Sequence, residues 1–193
     1  MRQFNLSANI ETGVSGNDSY IVTPNVQKAA AEIVNQYRIG IHSFTIIGTY
    51  GTGKSCFLVN LERDMLGLSK RKLLLKDPTA LTRAAGFEIL NIVGQYKPLK
   101  SLLADKLSSN EESVMATLKQ RYDQIKRQGN MLVIVIDEFG KTLEHAAAHN
   151  PEEELYFLQQ LAEFANVPKR EVLLLTTLHQ NFSAYASCAE VLV

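Results

Sequence analysis

The apolar residues of this chain fall into two kinds of pattern. One kind steps by three and four. Val26, Ala29, Ala30, Ile33, Val34 and Tyr37 share a face of "TPNVQKAAAEIVNQY". That spacing predicts a helix with Thr23 as N-cap, Pro24 in the first turn and Gly40 as its stop. Val114, Leu118, Tyr122 and Ile125 form a second stripe, preceded by Ser109 and Glu112 at capping-box spacing. Leu155, Leu158, Leu161, Ala162 and Ala165 form a third, opened by Asn150 and Pro151, with Glu152, Glu153 and Glu154 near the positive helix end. The other kind is a short unbroken run: Phe44–Ile47, Leu73–Leu75, Met131–Ile136 and Val172–Leu175. Runs without in/out alternation predict strands covered on both faces, as in a parallel sheet. Strands alternating with helices predict an α/β protein, a three-layer α/β/α sandwich with right-handed crossovers. The interval from Asp77 to Asn130 is longer than a minimal crossover, and Pro98 divides it, so at least two helices are expected there.

Composition narrows the class. The 193 residues suit about one domain, with 46% apolar and 21% charged residues. Residues 1–19 are polar and rich in Gly, Ser and Asn, and are expected to form a loosely held arm before a core spanning 20–193. Lys and Arg number 20 and Asp and Glu 20, so net charge does not support a nucleic-acid partner, although Lys70-Arg71-Lys72 could touch phosphate. The longest apolar run, "MLVIVI", is far short of the roughly 20 residues a membrane span requires. The N-terminus has no signal-peptide core, and the two cysteines, Cys56 and Cys188, lack metal-ligand spacing. A cytoplasmic protein is expected.

The stretch "IIGTYGTGKSCF" gives the chain its chemistry. Gly48, Gly51 and Gly53 add no packing and carry an entropic cost, so a local task must require them. Gly48 to Ser55 match G-x-x-x-x-G-K-[ST] in full, between an expected strand and an expected helix. In that arrangement the backbone N–H groups of Gly48, Thr49, Tyr50, Gly51, Thr52 and Gly53 wrap phosphate oxygens, helped by the positive end of the following helix. Lys54 reaches the β- and γ-phosphates and the Ser55 hydroxyl binds magnesium. Tyr50 is expected at the loop surface, and Cys56 as a small residue allowing close packing.

A phosphate loop needs an acidic partner. Asp137 ends the run "MLVIVID", where a carboxylate completes the magnesium shell, and Glu138 follows as the expected general base. "DEFG" also fits the D-x-x-G of switch GTPases, but the chain has no Asn-Lys pair for a guanine-reading element, so ATP is favoured. At the end of "VLLLTT", Thr176 or Thr177 could sense the γ-phosphate, with His179, Gln180 and Asn181 just beyond. A one-residue register decides which side chain points inward. Glu144, His145 and His149 have helical spacing but lack a third clear metal ligand, which favours a solvated face.

With these residues in hand, the chain resembles the AAA+ branch of P-loop ATPases. "GTYGTGKS" is similar to the first motif of that group, "VIVIDE" to its second, "LLLTT" to its sensor strand and "YIVTPNV" to the linker that lies against adenine. The resemblance covers roughly residues 20–182 and implies a parallel sheet of order 5-1-4-3-2 with nucleotide at the strand C-termini. "DEFGKTLEHA" and "TLHQNFSAYA" are similar to stretches of large bacterial ATPases of genome-defence or DNA-processing systems.

The departures matter as well. No Arg or Lys follows Arg170, and few residues follow Phe182, so the fifth strand and the arginine-bearing helical lid are expected to be missing. An arginine finger contributes roughly 10³–10⁵ in rate, so weak turnover by residues 1–193 alone is expected. The first reading is thus a module that binds ATP and Mg2+ and hydrolyses ATP within a larger remodelling or DNA-associated ATPase. The second is a nucleotide-gated switch or scaffold. Either implies ATP and ADP as ligands and the rest of a larger ATPase, or a protein partner, as its associate.

Overall fold

The computed structural model describes residue 10 and residues 20–69 and 72–181. Four parallel strands, β1 (Ser43–Ile47), β2 (Gly86–Val93), β3 (Asn130–Asp137) and β4 (Val172–Leu178), form one sheet of order β1-β4-β3-β2. Helices α1 (Pro24–Arg38) and α2 (Lys54–Met65) cover one face. Helices α3 (Leu99–Leu107), α4 (Val114–Arg127), α5 (Gly140–Ala148) and α6 (Pro151–Ala165) cover the other, giving an α/β/α sandwich. The two central strands, β3 and β4, are the unbroken apolar runs, because both of their faces pack against helices.

Local chemistry sets the helix ends. Thr23 accepts the Val26 N–H at 3.4 Å and Asn150 accepts the Glu153 N–H at 3.3 Å, each with Pro in the first turn. Gly40 takes φ +98° just past α1. The buried stripe of α4 is Val114, Leu118, Tyr122 and Ile125, as the spacing predicts.

Three expectations are corrected. Leu73–Leu75 is not a strand. Buried Asp64 of α2 takes the Leu74 and Leu75 N–H groups on Oδ2 at 2.7 and 3.0 Å, so they make no ladder. The strand lies instead at Gly86–Val93, where Glu88 and Asn91 interrupt the apolar run. Glu88 pairs with Arg121 of α4, and the Asn91 amide serves Glu62 of α2. The two expected helices, α3 and α4, do follow, with Pro98 at the N-cap of α3. The capping box at Ser109 and Glu112 is not used: Asn110 Oδ1 accepts the Ser113 N–H at 2.9 Å, and α4 begins one residue later. The face of α6 is also rotated, with Leu155 exposed and Glu154, Phe157, Leu161, Phe164 and Ala165 buried. Glu154 turns inward because it accepts the Leu99 N–H at 2.6 Å, capping α3 from another element.

Most of the expected N-terminal arm, along with Lys70, Arg71, Cys188 and residues 182–193, lies outside the described residues. Ile10 is described, and it is buried in the α1–α2 side of the core, its carbonyl accepting from Asn91 Nδ2 at 3.2 Å. The same Nδ2 donates to Glu62 Oε2 at 3.0 Å, while Glu62 Oε1 and Asn91 Oδ1 are buried without a partner. Burial lifts the Glu62 carboxyl from its ordinary 4.5 to about 7. The Asn91 bond opposes the rise and the Asp137 charge adds to it. A proton on Glu62 supplies a donor to a cluster otherwise short of one.

Because the folded state holds this proton more tightly than the unfolded chain does, its contribution is complete below pH 4.5. It is lost as pH rises through about 7. The shift corresponds to ~3 kcal/mol. Urea denaturation at pH 5 and pH 8 should show wild type losing more stability with rising pH than Glu62→Gln does; parallel curves contradict a protonated Glu62.

Candidate functional site

The strand order decides what meets at the carboxyl edge of the sheet. β4 lies between β1 and β3, with Ile47 beside Leu178 and Ile136 beside Thr176. Gly48 continues β1 and donates its N–H to the Leu178 carbonyl at 3.0 Å. Asp137, the last residue of β3, therefore lies about two strand spacings from the loop, roughly 10 Å. It also shares a face with α2. Met131, Val133 and Val135 pack in the α2 side of the core, and the period of two carries Asp137 to that side. Lys54, Ser55 and Asp137 are thus at one edge and on one face.

The loop has the backbone that its glycines predict. Gly51 and Gly53 take φ +77° and +87°, in the left-handed region. Thr52 donates to the Thr49 carbonyl at 2.8 Å. α2 begins at Lys54 with Gly53 at the N-cap and no side-chain cap, so its first N–H groups face the loop hollow without a protein side chain to serve. The Lys54 ammonium bonds the Gly48 carbonyl and, at 3.0 Å, that of Thr49. Burial lowers its pKa from the ordinary lysine range, while Asp137 and then Glu138 oppose the shift, which places both carboxylates within electrostatic reach. Tyr50 is 71% exposed, with its ring stacked on His179. Cys56 is half-buried. Tyr20, in the linker before α1, is pushed up to about 12 by burial and secondarily by Cys56.

The acidic end of β3 is tightly organised. Asp137 is 4% exposed, and its Oδ1 accepts the Thr177 hydroxyl at 2.6 Å and the Glu138 N–H at 3.0 Å. The Glu138 N–H also reaches Thr177 Oγ1 at 2.9 Å. These bonds hold Glu138 at φ +53°, a conformation that costs a non-glycine residue about 1–2 kcal/mol. The Glu138 carboxylate pairs with Lys141, in the first turn of α5, and raises the Lys141 ammonium. The register separates the two threonines: Thr177 meets Asp137, whereas Thr176 points to the opposite face and shares a hydrogen bond with Thr45 at 2.9 Å. His179 Nε2 stands 3.6 Å from Glu144 Oε1. His145 and His149 stack on each other with Tyr96 against their edges, and among the described residues no group of three or more His, Cys, Asp or Glu could hold a metal.

Sequence reasoning missed Gly94. Its N–H donates to the Asp137 carbonyl at 2.7 Å, and a Cβ there would stand 2.3 Å from the Glu138 carbonyl oxygen. A lone glycine after a strand is the available signal, obscured because the polar Glu88 and Asn91 disguise that strand. It missed Lys141 too, which only the fold brings onto Glu138.

Two substitutions check this corner. Thr177→Val leaves Asp137 without its hydroxyl donor and should cost about 1–3 kcal/mol. Gly94→Ala must displace the 137–138 turn and should cost at least as much. Each should lower the thermal midpoint by several degrees in a chain of this size. An unchanged midpoint for both contradicts the packing described.

No family model matches the chain, and no curated protein matches it in sequence. Solved structures do match in fold. ORC2 of Aeropyrum pernix, in ADPNP–ADP complexes, has a TM-score of 0.53 at 15% identity over 89% of this chain and 48% of its own. Its ADP form gives 0.52 at 17% identity, over 91% and 47%. PCH-2 of C. elegans gives 0.52 at 16% identity, over 88% and 42%. The chain spans a little under half the length of these solved chains. Taken with the β1-β4-β3-β2 sheet and the loop after β1, these matches show that the chain has the fold of an AAA+ P-loop ATPase core.

Proposed function

We propose that this chain binds ATP at the Gly48–Ser55 loop and serves as the hydrolysing core of a larger remodelling or DNA-associated ATPase. The observation that carries the reading is the meeting of Lys54 and Asp137 on one face, at one edge of the sheet, within each other's field. The hollow fits a polyphosphate: left-handed glycines turn N–H groups inward, an uncapped helix start adds its dipole, and an ammonium already rests on the loop carbonyls. The Ser55 hydroxyl and the Asp137 carboxylate are hard oxygen donors suited to magnesium. When bound, the ion would neutralise charge on the phosphates.

The remaining groups take roles from their contacts. Glu138, beside Asp137, is the group to polarise a water. Thr177 holds Asp137 in orientation and, of the two threonines, is the one positioned to respond to the bound phosphate; Thr176 faces away. Thr49, Tyr50, Thr52 and Cys56 line or flank the loop. ATP and ADP are the ligands, and the partner is the rest of a larger ATPase or another protein; the balanced net charge does not favour nucleic acid. Among the described residues no helix is long and apolar enough to cross a membrane. One observation favours a second reading. Glu138 is already engaged by Lys141, which suits a nucleotide-gated switch with little turnover of its own.

Calorimetry with Mg-ATP tests the site. Lys54→Ala should weaken binding by about 10- to 100-fold, since it removes charge-assisted hydrogen bonds to phosphate. Glu138→Gln should keep the affinity and lower turnover by about 10²–10⁴. Equal affinity for wild type and Lys54→Ala rules out the assignment; unchanged turnover in Glu138→Gln shifts the reading to the switch.

A further inference from the structure

The apex of the phosphate loop and the end of β4 are joined at two levels. The Gly48 N–H bonds the Leu178 carbonyl at 3.0 Å. Two residues further along the loop and one beyond β4, the ring of Tyr50 stacks on the imidazole of His179, with centroids 4.6 Å apart and planes 23° from parallel. His179 is in turn within ion-pairing distance of Glu144 on α5, at 3.6 Å. The Lys54 ammonium lies 5.9 Å from the Tyr50 centroid, inside the range where a cation is drawn to an aromatic ring. Loop, α5 and the end of β4 therefore converge on one stacked pair, of which Tyr50 is otherwise exposed.

An exposed tyrosine at a glycine-flanked apex has no packing of its own to fix it, and Gly51 beside it allows many conformations. The stack supplies the missing restraint. We propose that the Tyr50–His179 stack, braced by Glu144, is a positioning latch that holds the loop apex in its anion-ready shape and couples occupancy of the loop to the end of β4. The inference rests on the nucleotide-binding reading of the loop and adds the side-chain contacts of Tyr50, His179 and Glu144, which that reading does not use. A restrained loop loses less conformational freedom on binding, so removing the stack weakens affinity. By linkage, a bound nucleotide strengthens the stack in equal measure.

The experiment uses the full chain with Mg-ADP and Mg-ADPNP as probes. His179→Ala and Tyr50→Ser break the stack from opposite sides, and each is expected to weaken binding about three- to tenfold. His179→Phe keeps a ring and should restore affinity to within about twofold of wild type. The chain has no tryptophan, so Tyr50→Trp reports on the apex alone. Without nucleotide, its emission should be more open to iodide quenching when His179→Ala is added. If wild type binds and both stack-breaking variants bind equally well, the latch is overturned while the nucleotide reading stands. If iodide quenching is the same with and without His179, the stack itself is disproved. If wild type binds neither probe, both readings fall.

Discussion

One short hydrogen bond organises the working edge of this protein: the hydroxyl of Thr177 donating to the carboxylate of Asp137 at 2.6 Å. It joins the ends of the two central strands where the ladder between them has run out. Through the shared Glu138 N–H it also fixes the turn into α5. A buried carboxylate is expensive unless its oxygens are served, and here the service comes from the neighbouring strand and from its own turn. The left-handed Glu138, its contact with Lys141 and the close approach of Gly94 all depend on that arrangement.

The features that could be read from the chain are those decided locally. The loop glycines, the proline-marked helix starts and the apolar runs of β3 and β4 each answer to backbone sterics or to burial on both faces. These forces act over a few residues. What escaped was decided by partners distant in sequence. β2 was hidden because Glu88 and Asn91 are polar at positions where Arg121 and Glu62 receive them. Leu73–Leu75 imitated a strand because nothing nearby reveals that Asp64 will claim its N–H groups. The face of α6 turned because Glu154 is needed at the start of α3.

The site followed the same rule. Lys54, Ser55, Asp137 and Glu138 stand out from motif and context, and the fold brings the loop and the acidic strand end together on one face. The choice between Thr176 and Thr177 required the register, which pairs Ile136 with Thr176 and so carries Thr177 towards Asp137. Lys141 and the Tyr50–His179 contact needed three-dimensional adjacency, since no spacing along the chain announces either.

The clasp of Asp64 on Leu74 and Leu75 has an architectural consequence. The excursion between α2 and β2 is tied back to the body by side chains, Asp64 at Leu74 and Leu75, Arg38 at Ala80 and Glu171 at Thr82, and its described residues contribute no rung to the sheet. Its length is therefore uncoupled from strand alignment. Evolution can lengthen, shorten or decorate the chain between Met65 and Lys72 while the central ladder keeps its registration.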